Sequence, residues 1–552
     1  MCRARVGAGS VSARPPRRRE GRPGHSREPG LAELPFFAGE EGRGRLIVLL
    51  FFISASVVLV WGTWQGVLPA SDEAVLAETA QEILTTGNAL TLHFDGRAVH
   101  DTPPFAPWLM SFFLLLFGVN IFAARFGFVL LSVASFYLIY VAGVTASQDW
   151  GGAGETADAS DGAGPGRSRW GSLPAAIGFL SAIILASTPL FGRFTSHITA
   201  GLPFAFFTGL ALLGWLMAPN GRLGAPLWGI GIAGAMLSAG SGAFFIVLGG
   251  ILASLVDRSR RALVRKPMFI LATLVGVLVG GLWLFPATMA SGDGFWRSPV
   301  WAPVAGILKP RPNVAPTLLR SVKTAWLACL PWAIAATIAA GRVFFSSGRK
   351  RRSAQVSDVD DGLLVFSTVM FLPWAMAGVD STSQFLPAIP GMAIVSAREV
   401  ARWMRRPGKS LTKRVWTVDH GLTALFCLLM LLVVATPLRL RVVRNDPIRD
   451  IARMAERLTP PGTRIGNFRQ QYPEQCARML FYGNRSLERP LMDPTEVAGA
   501  LRADPRMLFL STVDDMAKLR GLEASPVDIH VLYGAGNLVL FGRPDSGLGE
   551  TR

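Results

Sequence analysis

Apolar runs alternate with short polar stretches along most of the chain, at 46–66, 121–146, 172–190, 202–218, 227–256, 268–286, 323–341, 363–379, 384–400 and 416–438. Most are near the ~20 residues that cross a bilayer core, which predicts an α-helical polytopic membrane protein. Two stretches read either way. The run 227–256 is long for one span and contains Ala239-Gly240-Ser241-Gly242, so it also reads as two short spans, and 104–119, opened by Pro103-Pro104, either crosses or stays re-entrant. With 227–256 as a hairpin and 104–119 not crossing, the expected count is about eleven spans, range roughly 9–13.

Between the first two runs lies the most polar loop near the membrane, 67–104. Val75, Leu76, Ile83 and Leu84 alternate with Glu78, Gln81 and Glu82 at helical spacing, and Thr85-Thr86-Gly87-Asn88 supplies the stop. This predicts a short amphipathic helix lying along the membrane surface, with Asp72 and Glu73 at its start. Leu90, Leu92 and Phe94 then alternate as an extended segment, and Asp95-Gly96 makes a turn. After Pro437 the pattern changes: DPIRDIARMAERL and DPTEVAGALRADP have helical spacing, whereas RMLFLST, DIHVLYG and NLVLFGR read as strands.

Composition sharpens this division. Half of the 552 residues are hydrophobic, which excludes an ordinary soluble enzyme, and the net charge of +18 comes largely from Lys and Arg grouped between apolar runs. Such grouping reads as topology, not nucleic-acid binding: the clusters at Arg258 to Lys266, Arg342 to Arg352 and Arg398 to Arg414 mark cytoplasmic loops. Loops 67–104, 191–201 and 287–322 and the C-terminal part then lie outside. Three regions follow: a disordered basic arm over 1–44, a membrane domain over 45–438, and an extracytoplasmic α/β domain over 439–552. The arm lacks the apolar stretch of an export signal, and the Gly- and Asp-rich insert 149–171 reads as a flexible cytoplasmic loop. Cys2, Cys329, Cys427 and Cys476 have neither disulfide nor zinc spacing.

The order Asp72-Glu73, amphipathic helix, Asp95-Gly96 turn, Pro103-Pro104 and then LLLFGVNIFAARFGFVLLSVASFYLIY resembles the first extracytoplasmic loop of bacterial GT-C glycosyltransferases. The group is family 39, the protein O-mannosyltransferase and aminoarabinose-transferase (ArnT-like) enzymes. The likeness continues more weakly through FGRFTSHITAGLPFAFFTGLALLGWL and STSQFLPAIPGMAIV. It implies an inverting hexosyl- or pentosyltransferase of the bacterial inner membrane. Such an enzyme moves a sugar from a polyprenyl-phosphate donor to a lipid, protein or polysaccharide acceptor on the periplasmic face.

By that resemblance Asp72 and Glu73 are the catalytic pair, with Asp72 the base for the acceptor's proton; the same two residues also suit the positive end of their helix. His100, Asp101, Thr102, Arg193, Lys309, Arg311 and Gln384 are the candidates for holding the donor and its phosphate. Arg97 and Arg297 are further basic groups outside, and any such Arg also suits an interfacial anchor. The resemblance leaves room for a divalent metal ion, with Asp101 and His197 as weak candidate ligands and no other cofactor implied. Ser381, Ser383 and Gln384 suit either sugar binding or a helix cap. Three positions depart from the family pattern: Thr102 stands for a lysine, Gly201 for an acidic residue, and Ala239 lies where a Thr-Lys-Gly-Pro pattern is frequent. These departures leave open a catalytically impaired homologue with a binding or assembly role. A transporter is a second alternative, disfavoured by spans that read as nearly devoid of ionisable residues.

Overall fold

The computed structural model describes residues 39–64, 68, 72–99, 102–148, 173–195, 197–219, 221–291, 298–301, 304–305, 314–345, 358–378, 382–404, 446–520 and 529–543. His100, Asp101, Arg297, Lys309, Arg311, Ser381, the insert 149–171, the apolar run 416–438 and most of the basic arm lie outside them; α1, Gly39–Trp64, begins inside the expected arm.

Helix α2, Asp72–Thr86, is followed by a two-stranded hairpin, β1 His93–Phe94 and β2 Arg97–Ala98. Asp95 and Gly96 take φ of 53° and 70°, the left-handed pair that a two-residue hairpin turn demands, and the Gly96 N–H donates to Glu82 Oε1 at 2.8 Å. Helix α3, Phe105–Phe117, has 13 residues, about 20 Å of rise, and is too short to cross a core of about 30 Å by itself. Helix α4, Ile121–Ala146, is fully long enough; Asn120 caps it by accepting the Ala123 N–H at 2.8 Å.

Helices α5 Leu173–Ser187, α6 Pro189–Phe194, α7 Gly201–Met217, α8 Gly224–Ala239, α9 Phe244–Val256, α10 Pro267–Gly281 and α11 Leu284–Ser291 continue the membrane part. Counted by length alone, Gly224–Val256 is one apolar stretch of 33 residues. The packing shows that the chain turns back within it. Trp228 near the start of α8 lies against Gly250 midway along α9, and Arg260 and Lys266, which follow α9, bond to carbonyls of Leu216, Ala218 and Pro219, which precede α8. The reversal occurs at Gly240, whose φ of +56° suits glycine, through the 3-10 turn Gly240–Ala243.

The apolar run 323–341, expected as one span, is instead split between α12, Val314–Ala328, and α13, Trp332–Phe345. Pro331 lies between them; proline has no N–H to continue a helix and disfavours helical backbone before it. Helix α14, Asp358–Ala377, a 3-10 segment, Thr382–Ala388, and α15, Ile389–Met404, complete the described bundle.

The spans are not devoid of charge, contrary to the sequence reading. Buried Arg398 on α15 donates through Nε to Asp360 Oδ1 at 2.6 Å and through Nη1 to the Ala146 carbonyl at the end of α4. Arg402 bonds to Asp360 and to Glu399, and Arg342 to Glu399 at 2.6 Å. Arg125, near the other end of α4, pairs with Glu73. The sequence reads Arg342 and Arg398 as members of basic loop clusters, whereas the structure places them in helices α13 and α15; Arg125 and Glu399 fall inside apolar runs whose mean hydropathy hardly registers them. Arg125 and Ala146 are separated by roughly 32 Å at 1.5 Å per residue, about a bilayer core. The fold therefore has two polar ends, one at Glu73 and one at Arg398, and Arg260, Arg342 and Arg402 all lie at the latter.

The C-terminal part forms a five-stranded mixed sheet in the order β4-β3-β5-β7-β6. Its elements are α16 Pro447–Leu458, β3 Arg464–Asn467, α17 Glu474–Gly483, β4 Ser486–Leu487, α18 Pro494–Ala503, β5 Phe509–Thr512, α19 Val513–Arg520, β6 His530–Ala535 and β7 Leu538–Gly542. Strand β3 pairs in parallel with β4 and β5, whereas β7 is antiparallel to β5 and β6. Helix α17 packs on α2, and the Leu68 N–H donates to Tyr482 Oη at 3.0 Å. Thus α2 is not an open surface helix as its sequence implied: it is held between α3 and α17, and Glu78 and Thr79 are buried.

Candidate active site

The two acidic residues at the start of α2 have opposite environments because adjacent helical positions point about 100° apart. Asp72 is exposed. Glu73 is buried and accepts from Arg125 Nη2 at 3.0 Å and bonds to His197 Nδ1. Burial alone would raise the Glu73 carboxyl; the His197 hydrogen bond and the positive charge of Arg125 outweigh it and hold the group below the ordinary carboxylate range.

Arg125 reaches Glu73 from the first turns of α4, and His197 from the loop between α6 and α7. That loop is tied to α4 by Ser132 Oγ, which donates to the Thr195 carbonyl at 3.1 Å. Two separate elements therefore converge on the carboxylate of a third, which fixes the rotation of α2 and with it the direction in which Asp72 projects. Sequence reading weighs His197 as a weak metal ligand against an interfacial histidine near a span end and passes over Arg125, although a lone arginine inside the run IFAARFGFV is a recognisable signal.

Other candidates fall around this end. Thr102 is half-buried just before Pro103-Pro104, Arg193 is exposed at the end of α6 with its guanidinium 5.6 Å from the Phe194 ring, and Gln384 is half-buried on the 3-10 segment. No distance brings Arg193 or Gln384 onto the Asp72–Glu73 pair. Among the described residues no group of three or more His, Cys, Asp or Glu side chains is arranged to hold a metal ion, and His197 Nδ1 is engaged by Glu73.

The departure at Gly201 has a structural cause. A Cβ on Gly201 would lie 2.4 Å from the Ser383 carbonyl oxygen, so the 3-10 segment occupies the space that an acidic side chain would need. Even Gly201→Ala is expected to lower stability by about 1–3 kcal/mol through overpacking, read as a fall in the melting temperature of the detergent-purified protein; an unchanged melting temperature would show that this segment yields freely. Next to Ala239, the Ser241 hydroxyl donates to the Val300 carbonyl at 2.7 Å, and a Cβ on Gly240 would lie 2.3 Å from the Val300 side chain.

This architecture has counterparts among known proteins. The profile of the dolichyl-phosphate-mannose-protein mannosyltransferase family matches residues 101–145. An uncharacterized protein of Aquifex aeolicus (strain VF5) is 23% identical over 375 residues, 67% of this chain, and the match spans 66% of that relative's length. Among solved structures, apo ArnT from Cupriavidus metallidurans superposes with a TM-score of 0.65 at 15% identity, covering 92% of this chain and 99% of that one. Its complex with undecaprenyl phosphate gives 0.62 at 15% identity, with 91% and 99% covered. The archaeal oligosaccharyltransferase AglB from Archaeoglobus fulgidus, in complex with an inhibitory peptide and a dolichol-phosphate, gives 0.50 at 13%, covering 80% of this chain and 64% of that one.

The chain therefore has the GT-C fold, built mostly of helices and with helices able to cross a membrane. Its fold is similar to that of ArnT, and residues 101–145 resemble the mannosyltransferase profile.

Proposed function

We propose that this protein is a glycosyltransferase of the bacterial inner membrane that moves a sugar from a polyprenyl-phosphate donor to an envelope acceptor on the periplasmic face, with inversion. The observation that carries the reading is the split of the Asp72–Glu73 pair into an exposed carboxylate and a buried one locked by Arg125 and His197. The acceptor's nucleophilic atom attacks the anomeric carbon, its proton passes to Asp72, and the sugar–phosphate C–O bond breaks to release polyprenyl phosphate. Glu73 is the positioning residue for Asp72. Positive groups or hydrogen-bond donors stabilise the departing phosphate, with His100, Thr102, Arg193, Lys309, Arg311 and Gln384 as the candidates. The ArnT complex with undecaprenyl phosphate supports a lipid-phosphate donor.

Orientation follows from the two polar ends. Arg260, Arg342, Arg398 and Arg402 lie at the end opposite Glu73, so the positive-inside rule puts Asp72, the 191–201 loop and the C-terminal domain on the periplasmic side.

The test is transfer of labelled sugar from polyprenyl-phosphate donors in membranes that contain or lack the protein. Protein-dependent label in an envelope lipid, protein or polysaccharide is expected. Donor binding without transfer to any of them would instead favour the impaired homologue, for which the filled position beside Gly201 and the uncharged Thr102 are the grounds.

A further inference from the structure

Helix α2, which presents Asp72, packs against α17 of the C-terminal domain, and Glu78 on α2 lies within electrostatic reach of Cys476 on α17. Glu78, Gln81 and Glu82 share one face of α2 by their i, i+3 and i+4 spacing. Glu78 is 6% exposed, and its Oε2 has no hydrogen-bond partner among the described residues. Gln81 Oε1, Glu82 Oε2 and His93 Nδ1 are buried in the same condition.

The groups around Glu78 can be named by element. Glu82 comes from α2 itself; the β1–β2 hairpin supplies His93, Asp95 and Arg97; α17 supplies Cys476, Arg478 and Tyr482, with Tyr472 just before it. Arg478 is committed to Asp446, and α3 carries no titratable side chain. The charges that act on Glu78 are those of two further carboxylates, Glu82 and Asp95.

We propose that Glu78 is a proton-operated latch: protonated, it lets the C-terminal domain close on α2, and its ionisation loosens the seam. Burial, reinforced by Glu82 and Asp95, pushes its carboxyl up to about 8, whereas Cys476 at about 11 and Tyr482 at about 12 stay neutral through the same range. The sign follows from proton binding. Undocked and solvated, Glu78 ionises near the ordinary 4.5; docked, it holds its proton to about 8. Between those values the closed form binds one more proton than the open form, so rising pH opens the seam by up to about tenfold per unit, and above about 8 the dependence ends. The latch acts on the helix whose first turn carries Asp72 and Glu73, and it does not depend on which sugar is moved.

The experiment is amide hydrogen exchange of α2 and α17 in the full chain in nanodiscs, wild type against Glu78→Gln, from pH 5.5 to 9. Taking the ratio at each pH cancels the intrinsic chemistry of exchange. The ratio should climb by up to about tenfold per unit and level off near pH 8. A ratio that is flat with pH would overturn the latch. Infrared absorption supplies a measure on the unaltered chain: a protonated-carboxyl band is expected to persist at pH 7 and to fade above 8. Absence of any such band at pH 7 would equally overturn the proposal.

Discussion

Asp72→Asn is expected to lower sugar transfer by about 10²–10⁴-fold while leaving donor binding nearly unchanged, because the amide keeps the shape and an acceptor oxygen but cannot take the acceptor's proton. The asymmetry of the acidic pair sharpens the expectation. Asp72 is exposed at the start of α2, so its substitution leaves the Glu73–Arg125–His197 contacts intact. The variant should fold and melt like wild type. The measurement is kcat and KM for labelled sugar transfer beside a direct donor-binding isotherm. Full activity would remove Asp72 as the base; equal losses of binding and turnover would make it a donor ligand instead.

Asp360→Leu should destabilise the protein by about 3–5 kcal/mol, since it leaves buried Arg398 and Arg402 without the carboxylate they share. Arg398 keeps the Ala146 carbonyl and the Ser147 hydroxyl, and Arg402 keeps Glu399. Replacing Asp360 and Arg398 together by leucine should cost less than the single change, because it removes one of the two buried arginines along with the carboxylate they share. Thermal unfolding in a fixed detergent reads both variants. A single variant as stable as wild type would mean that water enters this end of the bundle and solvates the arginines.

The local structure of the first loop was legible for a definite reason. Helix stop, two-residue turn and Pro-Pro are local devices, set by the φ that Asp95 and Gly96 can adopt and by the hydrogen bonds that proline cannot make. Three C-terminal segments that read as strands, in RMLFLST, DIHVLYG and NLVLFGR, carry β5, β6 and β7. Strand β3 and helix α17 were not legible: RIGN is too short to show alternation, and the helix EQCARMLFYG becomes distinctive only by what it packs against.

The sequence by itself determined that this is a polytopic helical membrane protein, that its basic clusters alternate with apolar spans, and that Asp72 and Glu73 open a short helix beside the membrane. Periodicity, local turns and transfer free energy suffice for that, because each depends on neighbours within a few residues. Only the tertiary structure decided the environments within the pair. Glu73 is held by Arg125 and His197 from elements far away in the chain, a Cβ on Gly201 would meet the Ser383 carbonyl, and Glu78 is buried on a helix enclosed by α3, the hairpin and α17. Burial and ion pairing are made by residues distant in sequence, so the same acidic residue reads alike on an open helix face and in a closed seam until the fold brings its partners together.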